Sequence, residues 1–346
     1  MIKNITGIFF MFLILSCTGK SSASPAEKKQ LPARVENLSV PSGFDNQYAQ
    51  NIKSGKPVHF TKPMLRIMNF TIPARFTEAI NDKTFKMDDI LKSDLASTGR
   101  YIILGTEDDI MAAIKEQNKI GYDEFKDDGS VTMGELKIAG YTLTGSIAES
   151  YPIVNQIGGH FSLKVAVSAS ITITNVNTGV IEFTKTIKSE KEELLFVSAD
   201  GVIIKGPRNL TDKPINSINA TGKDIDLGPQ YRDALRNSVA DIIAVIEERF
   251  PLMGEVIAIN DNSVITTISL EHGIKEGDYL FIVRLGDELK DSSGKTLGFN
   301  KQVIGASQVT SVENGMSNSK IVKLKDTSLG IVKGDIVISM PSGYAN

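Results

Sequence analysis

The chain has 346 residues and a formal net charge of −3, with 38 lysines and arginines against 41 aspartates and glutamates. No run of Lys or Arg marks a basic stripe, so the charge pattern gives no footprint for nucleic acid. The single cysteine excludes an internal disulfide and a multi-cysteine metal cage, and the length predicts two domains.

The N-terminus carries an apolar run over residues 5–15, preceded by Lys3 and followed by small or polar residues. This order is typical of a secretory signal, and the run is about half the ~20 residues that a spanning helix needs. It ends in Ile14-Leu15-Ser16-Cys17, which resembles the bacterial lipobox. The resemblance implies that the chain is cut before Cys17, which is then diacylated through sulfur and acylated at its new amino group. The alternative is an ordinary signal peptide with an incidental cysteine.

Lipidation at Cys17 predicts how the chain is anchored and where it is sorted. A single acyl chain binds a membrane only marginally, so multiple acylation predicts a firm anchor. Thr18 rather than aspartate follows the cysteine, which in bacteria of the enteric type predicts an outer-membrane lipoprotein with its folded domains facing the periplasm. We therefore expect a signal peptide over 1–16 and a lipidated tether over 17–60, since the tether lacks apolar periodicity.

A first folded domain is expected over residues 61–250. The apolar spacing predicts, in chain order, a strand near 64–68, a helix near 85–98 that ends at Gly99, a buried strand at 101–104, a helix from Thr106 and a strand over 141–147.

The next segment has the strictest periodicity in the chain. Apolar residues alternate with polar or small ones over 161–173, which predicts a strand with one buried and one wet face. Asn177-Thr178-Gly179 predicts a hairpin turn into a second strand. Residues 188–229 contain only two short apolar runs, and residues 231–250 predict a helix that Pro251 stops.

A second domain, all-β and barrel-like, is predicted over 254–342 from an internal echo. Residues 272–282 and 329–339 share Gly-Ile-x-x-Gly-Asp followed by an apolar strand. The second glycine, Gly277 or Gly334, permits a positive-φ turn. The following aspartate, Asp278 or Asp335, bonds to the backbone of its own turn. We expect these four residues to be structural.

Residues 63–250 resemble the curli production assembly/transport component family, the CsgG-like lipoproteins. The resemblance rests on the order and spacing of ASTGRYIIL, TEDDIMAAIKEQ, AGYTLTGSIAES, ITNVNTGVIEF and SVADIIAVIEERF. It implies an α/β fold, a small sheet flanked by helices, and assembly into an oligomer. The C-terminal unit resembles the terminal domain of flagellar assembly protein T.

The curli exporter forms a transmembrane barrel from two β-hairpins per subunit, and the sequence does not favour such a pore here. A tilted membrane strand needs about 9–11 residues of alternating character. Only an eleven-residue stretch, 150–160, occupies the place of the first hairpin. At the second, the apolar runs 194–197 and 202–204 are too short to span. We therefore expect a periplasmic domain held by its lipid.

Catalytic and metal-binding patterns are absent from the sequence. His59, His160 and His272 are scattered, and no HExxH, CxxC, Gly-x-Ser-x-Gly or phosphate loop occurs. The adjacent carboxylates Asp108 and Asp109 suit a helix start rather than catalysis. The sequence thus predicts a protein that is not an enzyme and has no cofactor or metal.

These observations predict a non-catalytic envelope lipoprotein that acts in the assembly or secretion of surface or envelope structures. Its expected partners are copies of itself, envelope proteins and, through the lipid, a membrane, but not nucleic acid. Three alternatives stay open: an oligomeric outer-membrane secretion channel of the curli-export type, a lipoprotein regulator of a peptidoglycan synthase or of flagellar assembly, and a hydrolase whose activity would depend on one of the turn aspartates.

Overall fold

The computed structural model describes residues 35, 38, 44, 46–54, 62–73, 86–105, 139–148, 152–218, 227–326 and 328–341. All of them belong to one unit, Pro32–Asn346. The predicted signal peptide, Cys17 and the predicted helix from Thr106 lie outside the described residues. The expected domain boundaries stay a prediction.

The N-terminal part of this unit, called the sheet region below, consists of seven strands and three α-helices among the described residues. In chain order they are α1 (Asn46–Lys53), β1 (Met64–Ile67), α2 (Met87–Thr98), β2 (Ile102–Leu104), β3 (Tyr141–Ala148), β4 (Ile153–Ile157), β5 (His160–Asn175), β6 (Ile181–Val197), β7 (Ile203–Lys205) and α3 (Gly228–Arg249).

The seven strands form one mixed sheet in the order β2-β1-β3-β5-β6-β7, with β4 paired to the remaining part of the β5 edge. β1 runs parallel to β2 and β3, whereas β3, β4 and β6 run antiparallel to β5. The core lies between one face of this sheet and the helices α2 and α3. Leu163, Val165 and Ile171 of β5 are fully buried there, as are Leu235 and Ile242 of α3.

The α/β fold class predicted from the CsgG-like resemblance is wrong. Thirteen strands and only three α-helices lie in the described residues, so the protein is mostly β, with a mixed sheet and a closed six-stranded barrel. The reason is the length of the antiparallel pair: β5 and β6 have 16 and 17 residues. The sequence pattern had predicted strand only for the first residues of β6.

The C-terminal part, called the barrel, is the closed barrel that the sequence predicts for this region. Its strands run in the order β10-β11-β12-β9-β8-β13. Their bounds are β8 (Met253–Asn260), β9 (Ser263–Thr266), β10 (Tyr279–Lys290), β11 (Thr296–Glu313), β12 (Met316–Leu324) and β13 (Ile336–Ser339). Apolar side chains from all of these strands except β12 form its fully buried core, for example Val264, Leu280, Ile304 and Val337.

Several local predictions are confirmed. Along β5 the odd-numbered residues from Leu163 to Ile173 are buried, as strict alternation requires. Gly99 follows α2 with φ 70°, and its N–H donates to the carbonyl oxygen of Ala96, so it ends the helix in the left-handed conformation. The helix predicted over 231–250 is α3, which begins three residues earlier.

Candidate functional site

The sequence singled out Cys17 and the two Gly-Asp turns. Cys17 lies outside the described residues. Gly277-Asp278 precedes β10 and Gly334-Asp335 precedes β13. These two strands are neighbours in the barrel and run antiparallel.

The first turn is held by four hydrogen bonds. Gly277 has φ 91°, which only glycine adopts without strain. The Asp278 carboxylate accepts a hydrogen bond from the Lys275 N–H at 3.0 Å, and the Asp278 N–H donates to the Lys275 carbonyl at 3.1 Å. Gly277 N–H donates to the Val309 carbonyl, and Val309 N–H donates to the Asp278 carbonyl, at 2.9 and 2.8 Å.

The second turn repeats these bonds one for one. Gly334 has φ 90°. The Val332 N–H donates to the Asp335 carboxylate at 2.9 Å, and the Asp335 N–H donates to the Val332 carbonyl at 3.2 Å. Gly334 N–H and the Asp335 carbonyl bond to Val256 at 2.9 and 2.8 Å. The repeated sequence motif therefore forms the same turn structure at both positions.

Each turn aspartate also binds an arginine, and for Asp335 this arginine is Arg284 of β10. The guanidinium binds the carboxylate through two nitrogens, Nε and Nη2, both at 2.8 Å. It also donates to the carbonyl oxygens of Leu329 and Gly330. The hydrogen bond with Asp335 raises the pKa of Arg284. Both residues of this ion pair therefore belong to the barrel region.

For Asp278 the arginine comes from the sheet region. Arg100 follows the end of α2, and its side chain is 3% exposed. Its Nη2 lies 2.9 Å from Asp278 Oδ2, and its Nη1 lies 3.1 Å from Oε1 of Glu247 on α3. Burial, followed by the charge of Glu247, raises the pKa of the neighbouring Tyr101 well above its usual value. A buried cation thus joins α2, α3 and the barrel.

The backbones of the two regions touch beside this cation. Gly273 of the barrel has φ 83°, and a Cβ built on it would lie 2.5 Å from the Gly99 carbonyl carbon and 2.6 Å from the Thr98 oxygen. Real Cβ atoms do not approach backbone so closely. The end of α2 and the barrel can therefore meet in this way only because residue 273 is a glycine.

His272 precedes this contact and ends a short 3₁₀ turn, Leu270–His272. Its Nδ1 accepts a hydrogen bond from the Ser269 N–H at 2.9 Å, while the Ser269 side chain bonds back to the turn. Burial lowers the pKa of His272. Nδ1 of His272 therefore serves as a cap for this turn.

The α1 segment also packs on the barrel. Lys301 Nζ lies 4.0 Å from the ring centroid of Phe44, and Lys53 Nζ lies 4.9 Å from that of Phe299. Cation–π contacts of this kind contribute about 0.5–1 kcal/mol at exposed sites. Burial raises the pKa of Tyr48 in α1. The described part of the N-terminal segment thus packs on β11, and Lys53 Nζ also donates to the Gly286 carbonyl oxygen of β10.

The sheet face opposite the core carries a dense array of hydroxyl groups, called the open face below. Ser170 shares a hydrogen bond with Thr186 at 2.9 Å, and Thr172 with Thr184 at 3.3 Å. All members are half-buried or exposed. They are Thr142, Thr144 and Ser146 of β3, Ser168, Ser170, Thr172 and Thr174 of β5, and Thr184 and Thr186 of β6.

The same face becomes apolar where β4 meets β5. Ile153, Ile157, Leu194 and Ile204 are 50–60% exposed, and we call them the apolar tip. The rings of His160 and Phe196 contact each other beside them in a tilted arrangement, with centroids 4.5 Å apart and planes at 57°. Exposed apolar patches of this kind mark interaction sites.

The described residues contain no group of three or more metal-ligating side chains. None of the helices in the described ranges is both long and apolar enough to cross a membrane. Within the described part of the chain, the open face and the apolar tip are candidate surfaces for protein contacts.

Comparison with known proteins gives distant structural likeness only. No family model matches the chain, and no curated protein matches it. The solved structures that it resembles include lipoprotein GNA1162 from Neisseria meningitidis (11% identity, covering 38% of this chain and 83% of that chain, TM-score 0.21). They also include a minor lipoprotein from Acinetobacter baumannii (8%, 53% and 97%, 0.21) and the PelC dodecamer from Paraburkholderia phytofirmans (10%, 38% and 75%, 0.20).

Bacterial lipoproteins are thus among the structures to which the chain is similar. The comparisons give no match specific to the CsgG-like family.

Sequence reasoning missed Arg100, Glu247 and Gly273. Arg100 and Asp278 are 178 residues apart in the chain, and no local spacing connects them. One signal was present for Gly273: it is the first glycine of the repeated Gly-Ile-x-x-Gly-Asp motif. Its counterpart, Gly330, also has a positive φ, of 47°, but a Cβ there would meet nothing.

Proposed function

We propose that this protein is a non-catalytic lipoprotein of the bacterial envelope, anchored through Cys17 in the outer membrane. Its folded part acts in the assembly or secretion of surface or envelope structures by binding copies of itself and envelope proteins. The observation that carries the proposal is Ile14-Leu15-Ser16-Cys17 placed directly after a short apolar run.

The surfaces of the sheet region support the binding part of the proposal. The core face of the sheet is covered by α2 and α3, whereas the open face presents hydroxyl groups that are bordered along β6 by the charges of Lys188 and Glu190. Uncharged hydroxyls can donate and accept hydrogen bonds and are cheaper to desolvate than ions. The adjoining apolar tip adds exposed aliphatic area. Such a surface suits protein contacts better than binding of a charged small molecule.

Anchoring is tested by labelling cells with palmitate and fractionating them. We expect label on the wild-type protein in the outer membrane, and on a Ser21→Ala control. Cys17→Ser should lose the label and retain the first sixteen residues by mass spectrometry. Unlabelled wild-type protein with these residues still attached, found in a cytosolic fraction, would contradict the proposal.

The assembly role is tested by deleting the chromosomal gene and comparing the proteins and structures exposed on the cell surface. We expect the deletion to lose at least one surface or envelope structure. Wild-type protein should restore it, whereas Cys17→Ser at equal abundance should not. Unchanged surface composition in the deletion would argue against the role.

A further inference from the structure

One edge of the large sheet is left without a partner strand. β6 pairs with β5 along its whole length on one side. On its other side it pairs with β7 only at Phe196 and Val197. Among the described residues, no strand pairs with that side over residues 181–195. An uncovered strand edge of this length is a template for another strand.

The side chain of Asn237 shows which backbone groups face this edge. Its amide donates a hydrogen bond from α3 to the carbonyl oxygen of Glu190 at 3.2 Å, so this carbonyl points away from β5. Backbone groups alternate in direction along an antiparallel strand. The even-numbered residues from Thr184 to Leu194 therefore present their N–H and C=O groups at the edge.

We propose that a second copy of the chain pairs with this edge, with the two β6 strands antiparallel around a two-fold axis at Ser189. The argument is charge complementarity within the segment Thr184–Leu194, TKTIKSEKEEL. In this register Lys188 lies opposite Glu190 of the other copy, and Lys185 lies opposite Glu193. Both pairs occur twice, and no like charges lie directly opposite each other.

The pattern selects this register over its neighbours. Because outward-facing residues must pair with outward-facing residues, the register can shift only in steps of two. One step places Lys188 opposite Lys188, and the opposite step places Glu190 opposite Glu190. Directly opposed like charges destabilise a strand pair. A sequence selected only to keep the edge unpaired would not need opposite charges at mirrored positions.

The surroundings leave space for this pairing. An open cleft of about 340 Å³ lies between β6 and α3, lined by Lys185–Lys188, Asp241, Ala244 and Val245. Because α3 packs on both β5 and β6, the two copies of α3 would lie about 10 Å apart, roughly two strand spacings. That is a normal distance for packed helices.

One carboxylate lies close to the proposed axis. Asp241 accepts a hydrogen bond from Ser189 at 2.5 Å, so the two copies of Asp241 would approach each other. Lys185 and Lys188 line the same cleft and supply the compensating positive charge. The side chain of Lys188 is 64% exposed and its Nζ lies 3.0 Å from Glu190 of its own chain, so pairing exchanges this contact for the one with Glu190 of the other copy.

This pairing deepens the proposed function, because self-association is part of it, and it identifies the edge that one copy offers to the next. The two ideas fail separately. A monomeric protein that still incorporates palmitate would overturn the pairing and leave the anchoring intact.

The first test uses charge reversal on the full-length protein in detergent, followed by sedimentation. Lys188→Glu alone should raise the dimer dissociation constant about tenfold or more. The new carboxylate at position 188 of each copy then lies opposite Glu190 of the other copy. Glu190→Lys alone should do the same, by opposing two lysines. Mixing the two variants, each with its own tag, should restore pairing as a heterodimer, since every opposed pair is again Lys–Glu.

The matched control is Lys320→Glu, an exposed lysine on β12 of the barrel, which should sediment like wild type. Thermal unfolding of all variants separates loss of pairing from loss of the fold, because Lys188→Glu also removes the ion pair that Lys188 makes with Glu190 in its own chain. A monomeric wild type, unchanged dimerisation of Lys188→Glu, or a mixture that fails to pair would each overturn the proposal.

A second test reads the register itself. Copies with Lys188→Cys and copies with Glu190→Cys are co-expressed and treated with a short bifunctional thiol reagent. We expect strong cross-linking of this pair and weak cross-linking of Lys188→Cys with Glu192→Cys, which is displaced by two residues. Equal cross-linking in both combinations, or none in the first, would overturn the register. Wild type controls for reaction at Cys17.

Discussion

The two Gly-Asp turns of the barrel make the same backbone bonds, yet their aspartates bind arginines of very different origin. Asp335 binds Arg284, which belongs to the barrel and is 27% exposed. Asp278 binds Arg100, which belongs to the sheet region and is 3% exposed. The Asp335–Arg284 ion pair stabilises the barrel alone. The second joins two regions through a cation that has almost no contact with water.

This difference separates two influences on a repeated motif. The local sequence determines the turn, because Gly-Asp supplies a positive φ and a carboxylate that accepts an N–H bond in both cases. The burial around each Arg–Asp ion pair determines how much its loss destabilises the protein, because removing one partner of a buried pair leaves a desolvated charge behind. Equal motifs should therefore respond very unequally to equal substitutions.

The largest effect is expected for Arg100→Met. The substitution leaves Glu247 and Asp278 without their shared cation in a buried position, which should lower the free energy of unfolding by about 3–5 kcal/mol. Urea denaturation followed by circular dichroism measures this loss. Arg208→Met, at an exposed arginine, should change stability by less than about 0.5 kcal/mol. Equal losses in the two variants would refute the joining role of Arg100.

Gly273→Ala tests the backbone contact beside that cation. A Cβ at this position would clash with Gly99 and Thr98, and its φ of 83° is unfavourable for alanine, so we expect a loss of about 2–3 kcal/mol. Gly294→Ala is the matched control, because Gly294 has the same φ of 83° with nothing within 4 Å of the added atom. It should lose only about 1–2 kcal/mol. A difference near zero would mean that the clash relaxes.

Arg284→Met tests the more exposed of the two Arg–Asp ion pairs. It breaks two charged hydrogen bonds to buried Asp335, but the site is partly open to water. We expect a loss of about 2 kcal/mol, smaller than for Arg100→Met. The same urea experiment ranks the two variants, and the reverse order would show that burial does not determine the weight of these pairs.

The smallest effect is a pH dependence at the junction of the two regions. Burial lowers the pKa of His272, so the unfolded chain takes up the proton first as the pH falls. The contribution of His272 to stability is therefore complete above its unfolded pKa of about 6.5 and is lost as the pH decreases below it. Unfolding in urea across this range should show the loss in wild type and a smaller one in His272→Gln, which keeps a capping side chain. Identical pH profiles would exclude His272 as the source.

The sequence was most informative where a local period reports burial. Alternation from Leu163 to Ile173 identified the core face of β5, and Gly99 identified the end of α2. It failed for β6, because Lys185, Lys188 and the glutamates around them lie at an uncovered edge where polar residues cost little. Because of these charges, the sequence pattern did not predict the full 17-residue strand. The α/β fold class was wrong for that reason.

The junction between the regions could not be predicted for a different reason. Arg100, Glu247 and Asp278 carry no shared local pattern, and each one read alone is an ordinary surface charge. Only the folded chain brings the Arg100 guanidinium within 3.1 Å of Glu247 and 2.9 Å of Asp278. The open face was partly visible as alternating Ser and Thr in β5, but its extent depends on the pairing of β3 and β6 with that strand.

The ion pairs of Arg100 join residues that lie far apart in the chain, and this order has a consequence for how the chain folds during synthesis. Synthesis delivers Arg100 long before Glu247, and Glu247 before Asp278, so the sheet region emerges with a cation whose second counter-ion is still being translated. Export that begins at the N-terminus would meet the same order. The sheet region thus reaches its final stability only once the first strands of the barrel have followed it.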